Sequence, residues 1–94
     1  SFEQADSADN HAPTLLAAYE IMLAYPNLDN KQIRLIDENM AEVLFSWAYR
    51  CRMHRQLGKA SELHLRSFRL GKRRENAVAL LKLLLVSLFP FLEK

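Results

Sequence analysis

The sequence predicts an all-α fold, a small bundle or stack of about four helices. Three observations predict it. Alanine, leucine, arginine and glutamate dominate, and all four favour helices. Apolar residues recur at spacings of three and four over long stretches, the period of a helix buried along one side. Only two Gly and three Pro occur in 94 residues, and they punctuate the periodic stretches. A sheet is not expected, because few β-branched residues lie outside the helical patterns.

Residues 1–12 are polar and acidic and read as a flexible lead-in to a single helical domain over 13–94. Pro13 and Thr14 open the first helix, since Pro fits a first turn and Thr can cap. Its expected face is Leu15, Tyr19 and Met22, flanked by Leu16 and Leu23, and Pro26 stops it after Tyr25. In the turn that follows, Asp29 stands three residues before Gln32, as in a capping box. A long helix then runs over about 30–56, with Ile33, Ile36, Met40, Val43, Leu44, Trp47 and Cys51 on one stripe. Asn39 marks the place where a kink would fall. Gly58 is expected to end this helix in the usual C-terminal role. The third helix, about 59–70, places Ala60, Leu63, Ser67 and Leu70 on one face, where the two small residues admit a close neighbour. Gly71 stops it. The fourth helix takes Arg74 to Phe89 and ends at Pro90.

A chain of this length supports one modest core, burying about 60–65% of the surface its unfolded form exposes. The single cysteine, Cys51, excludes an internal disulfide and suits a reducing compartment, so a cytoplasmic location is expected. The first ten residues hold no apolar signal segment. Of the sixteen residues Ala77–Leu92, thirteen are apolar, interrupted by Lys82, Ser87 and Pro90. The run falls short of the roughly 20 residues a membrane span needs. A helix apolar on every side must still be covered by a core, a membrane surface or a partner. Leu81, Leu84, Leu85, Leu88 and Phe89 are the candidate apolar interface, with burial inside the bundle as the competing outcome.

The net charge of +2 hides a split. Residues 1–47 hold eight acids and two bases, a net of −6, and residues 48–94 hold eleven bases and three acids, a net of +8. Arg66, Arg69, Lys72, Arg73 and Arg74 cluster just before the Leu-rich run and form the candidate anionic-surface site. A simpler reading is that these bases complement the C-terminal end of the third helix. Nucleic acid is disfavoured, because Phe68 alone interleaves the bases as an aromatic.

No catalytic, metal or cofactor constellation is read. His11, His54 and His64 have no carboxylate or cysteine at ligand spacing, and are expected at the surface or half-buried. Cys51 sits on the apolar stripe of the long helix and reads as a small core residue rather than a nucleophile. Trp47 and Tyr49 read as core and rim. No pair of carboxylates sits in an apolar context that would separate their pKa values, and no Gly-rich phosphate loop occurs.

The second half has a distinctive rhythm. A helix and short turn lead to Lys59–Ala60 and Ser67–Phe68–Arg69–Leu70, then to a Leu-rich helix closing on Val86–Ser87–Leu88–Phe89–Pro90. This resembles the helical C-terminal extension of bacterial family-2 glycosyltransferases, over about Ala41 to Leu92. Those tails carry a tetratricopeptide-like helix pair and close with a similar phrase. Ala60 and Ser67 fall where that repeat has small residues, whereas Gly58 lies closer to Ala60 than the repeat's turn glycine, and Gly71 replaces the closing proline. The resemblance implies a parent enzyme that uses a nucleotide-sugar donor, with its donor and metal sites in a domain outside this chain. It carries no catalytic residue onto these positions. The implied partners are the catalytic domain of the same polypeptide, an anionic membrane surface or a second copy, with peripheral seating at the inner membrane. A stand-alone adaptor or homodimer is the alternative.

Overall fold

The computed structural model describes residues 11–88. It has four helices and no strand among them: α1 (Ala12–Leu23), α2 (Asn30–Met53), α3 (Leu57–Leu70) and α4 (Arg73–Leu88). They stack in chain order, α1 on α2, α2 on α3 and α3 on α4. The result is a flat slab of 51 × 29 × 13 Å with α1 and α4 at its two ends.

The core runs along α2. Ile36, Met40, Ala41, Leu44, Trp47, Ala48 and Cys51 are buried on it, at the spacing of one helical stripe. Val43 is half-buried and Ile33 is exposed, because α1 covers only part of this flank. The helix passes through Asn39 unbroken. Its start is a capping box: Asp29 Oδ1 accepts from the Gln32 N–H at 2.7 Å, and Gln32 Oε1 accepts from the Asp29 N–H at 3.0 Å.

The end of α2 differs from expectation. Gly58 lies inside the first turn of α3, and the break falls at His54–Arg55–Gln56. Arg55 takes the left-handed conformation at φ 63°. The Gln56 N–H donates to the Cys51 carbonyl at 2.8 Å and the Arg55 N–H to the Arg52 carbonyl at 3.0 Å. This is the Schellman pattern, with arginine in the position glycine usually takes. A glycine three residues further on was the more visible stop, but the hydrogen bonds of α2 are already closed before it.

In α1 the buried positions are Ala12 and Leu16, with Tyr19 and Leu23 half-buried against the core. The expected face is therefore offset: Leu15 and Met22 are each 45% exposed. Apolar residues surround this helix, so two stripes satisfy the same spacing, and contact with α2 alone selects one. Thr14 lies within the helix and does not cap it; His11 is the N-cap residue, without a side-chain bond, and Pro13 sits in the first turn. Trp47 is buried and Tyr49 exposed, as core and rim.

In α3, Ala60, Leu63 and Ser67 are buried and Leu70 packs partly against the core. Gly71 packs beside Ala41 of α2, whose side chain would lie 3.4 Å from a Cβ at this position. Lys72 follows at φ 49° and turns the chain into α4.

Candidate functional site

Three features of the α3–α4 end could carry function: the outer face of α4, the bases around it, and a buried polar network beneath it. The outer face follows from α4's own sequence. At 100° per residue, Asn76, Ala79 and Leu83 share one side, and all three are buried against α3. Arg74, Val78, Leu81, Leu85 and Leu88 share the opposite side, with Leu84 beside them. Leu81, Leu84 and Leu88 are 57%, 55% and 63% exposed. The Leu-rich helix is therefore not enclosed by its neighbours. Phe89 lies outside the described residues.

The five bases singled out in the sequence occupy different settings. Lys72 Nζ pairs with Glu42 Oε2 at 3.1 Å and stands 5.5 Å from the Phe45 ring centroid, so it ties the α3–α4 turn to α2. The Arg73 guanidinium lies 6.0 Å from the centroid of Phe68, on one flank of α3. Arg66, about 200° from Phe68 around that helix, lies on the other flank, half-buried. Arg69 is exposed, opposite the buried face of α3. Arg74 alone joins the α4 face directly. It also borders a groove between α2 and α4, lined by Phe45, Arg52, Arg74, Glu75, Val78, Ala79 and Lys82. Arg52 and Lys82 were not among the sequence candidates. They lie 30 residues apart in the chain, and only the α2–α4 juxtaposition brings them to one groove.

The buried network links three helices. Ser67 Oγ donates to the Ala41 carbonyl at 2.6 Å. Asn76 Nδ2 donates to Ser67 Oγ at 2.8 Å and to the Lys72 carbonyl at 2.9 Å. With both amide protons so used, Asn76 Oδ1 accepts from His64 Nδ1 at 2.9 Å, which assigns the ring proton to Nδ1. His64, Ser67 and Asn76 have no exposed surface. His64 is thus no surface histidine: Phe45 packs edge-on against it at 5.1 Å, and its Nε2 has no hydrogen-bond partner. Burial lowers its pKa from the ordinary 6.5; the Asn76 bond opposes this, and the Arg52 charge adds to it.

Ser67 is held by two buried partners and cannot meet a substrate, and Cys51 is buried in the core. Among the described residues no group of three or more His, Cys, Asp or Glu gathers at metal-binding distance. No described helix is long and apolar enough to cross a membrane. Two signals for the network were present in the sequence. His64 falls on the small-residue stripe with Ala60 and Ser67, and Asn76 is the one amide on the stripe of Ala79 and Leu83. No family model, no curated protein and no solved structure matches this chain.

Proposed function

We propose that this chain is a non-catalytic helical docking module, working through the outer face of α4. The observation that carries the reading is that face itself: Val78, Leu81, Leu84, Leu85 and Leu88 turned away from α3 and left roughly half in solvent. Covering the remaining half of five such side chains is worth about 5 kcal/mol before the costs of association. A contiguous apolar face on a small helical stack marks an interaction surface.

We further propose that the partner polypeptide is the catalytic domain of a bacterial family-2 glycosyltransferase, with this chain as its helical C-terminal extension. The support is the likeness at Ala60, Ser67 and Val86–Pro90. In this role the module packs on the enzyme, sets subunit contacts or seats it on a surface, while sugar transfer occurs elsewhere. The test is the mass of the native polypeptide in its source cell, read with an antibody against this module. A band several times heavier is the expected result. A band near 10.9 kDa would overturn the enzyme reading and leave a stand-alone interaction module.

A further inference from the structure

We propose that the occupant of the α4 face is an anionic lipid surface, with the groove between α2 and α4 seating a lipid phosphate. The inference rests on the docking reading above and names its partner. The first observation is where the charge lies. Residues 57–88, which hold α3 and α4, contain seven bases and two acids, a net of +5. Residues 11–53, which hold α1 and α2, contain four bases and five acids, a net of −1. The slab is therefore polarised toward the end that carries the exposed leucines of α4.

The second observation is the register between bases and leucines. Arg74 stands on the same stripe as Val78, Leu81, Leu85 and Leu88, and Lys82 stands on its flank, about 100° from Leu81. Both line the groove together with Arg52, Phe45, Val78 and Ala79. Glu75 shares the groove and offsets one of the three charges. Among the described residues none of Arg52, Arg74 and Lys82 is ion-paired; Arg52 stacks on the Tyr49 ring at 5.2 Å. Cations beside apolar side chains on one helix face match a bilayer interface, where acyl chains accept the leucines and phosphates the bases.

The third observation concerns what the bases do for the fold. Arg73 and Arg74 are the first two residues of α4. Positive charge at a helix N-terminus opposes the dipole, so the charge of neither stabilises α4. Arg73 does meet the Phe68 ring, whereas Arg74 has no such contact among the described residues. Lys72, by contrast, is engaged with Glu42 and serves the turn.

A second copy is the less fitting occupant. A parallel two-fold contact through this face would set Arg74 of each copy against Arg74 of the other, and an antiparallel one would bury it over residues 83–88, which hold no carboxylate to pair it. Nucleic acid would leave the leucines uncovered. Lying flat, the stripe from Val78 to Leu88 spans about 15 Å. That orientation places the groove at headgroup level.

The test is sedimentation of the 94-residue chain with vesicles of phosphatidylcholine plus phosphatidylglycerol, beside vesicles of phosphatidylcholine alone. Binding to the mixed vesicles only, weakening with salt, is expected. A charge near an anionic surface is worth about fivefold in affinity, so Arg74→Glu with Lys82→Glu should weaken binding by at least about 25-fold. Leu81→Asn with Leu85→Asn should abolish it, with helicity by circular dichroism unchanged. Lys31→Glu with Ala17→Glu and Ala18→Glu, an equal charge change on exposed positions of α1 and the first turn of α2, should leave most of the binding. No binding at low salt, or equal losses in both sets of charge changes, overturns the inference. So does protection of the groove by inorganic phosphate when vesicles fail to bind. If vesicles fail and the Leu81/Leu85 pair instead abolishes a concentration-dependent dimer, the lipid inference falls while the docking face stands.

Discussion

Replacing Asn76 by Ala would remove the side chain that fastens α4 to the rest of the stack. Its amide makes two short donated bonds, to Ser67 Oγ at 2.8 Å and the Lys72 carbonyl at 2.9 Å, and accepts one from His64 Nδ1 at 2.9 Å. The first two are worth about 1 kcal/mol each in net terms. The third loss is dearer, because the His64 N–H would stay buried with no acceptor, at a cost of about 1–3 kcal/mol. Ser67 keeps the Ala41 carbonyl and adds little. The sum is about 3–5 kcal/mol, a large share of the 5–15 kcal/mol that stabilises a typical domain. Urea unfolding followed by circular dichroism reads the total. Hydrogen exchange locates it, with protection lost first in α4 and least in α2. Ser67→Ala, which removes two bonds, the one donated to the Ala41 carbonyl and the one accepted from Asn76 Nδ2, but leaves His64 paired, should cost about 1–3 kcal/mol and guards against outright unfolding of the first variant. A loss below about 1 kcal/mol for Asn76→Ala, or protection lost evenly over all four helices, would refute the idea that this amide is the fastening.

Three further outcomes are expected. Because the folded state holds His64 below its ordinary pKa of 6.5, the unfolded chain binds the proton more readily. Stability from this group is thus complete above about pH 6.5 and falls as the pH drops toward the folded value, by at most about 1.4 kcal/mol per unit. Urea midpoints at pH 7 and pH 5 check this, and His64→Gln should remove its part of the slope. Arg55→Gly relieves a side chain at φ 63° and should raise stability by about 0.5–1 kcal/mol, seen as a melting point several degrees higher; a lower melting point would mean that the arginine side chain's own contacts outweigh the strain. Asp29→Ala opens the capping box of α2 and should cost about 1 kcal/mol, while Asp29→Asn should recover most of it.

Much of the fold was legible because it is written in local terms. The capping box at Asp29 and Gln32, the α2 stripe from Ile36 to Cys51, and the small residues of α3 each follow from spacing alone. The misplaced end of α2 shows the limit. Left-handed backbone at Arg55 comes from two hydrogen bonds back to Cys51 and Arg52, and nothing in an arginine side chain announces it. The offset in α1 has a different origin. A helix apolar all round contains several valid stripes, and only its neighbour decides between Leu15 and Leu16. At the candidate site, the four described leucines singled out in the sequence, Leu81, Leu84, Leu85 and Leu88, are all exposed, while Leu83 on the same run is buried. Arg52 and Lys82 were invisible as a pair, since their proximity is a product of tertiary packing. His64 was expected at the surface or half-buried because a histidine usually keeps some contact with water, while here an asparagine twelve positions away supplies its buried partner.

The chain-order stacking of the helices also bears on how quickly the molecule forms. Each helix rests on the one before it, across connections of two to six residues. The hydrogen bond from Ser67 to Ala41 closes a loop of only 26 residues, and the ion pair from Lys72 to Glu42 one of 30. Loop-closure entropy is therefore small at every step, and no distant segment must be found by search. Proteins built this way have low contact order and fold in microseconds to milliseconds. Assembly can begin at the α2–α3 hairpin, with α1 and α4 adding to its two sides independently. The α4 face then forms after the α2–α3 surface that positions it.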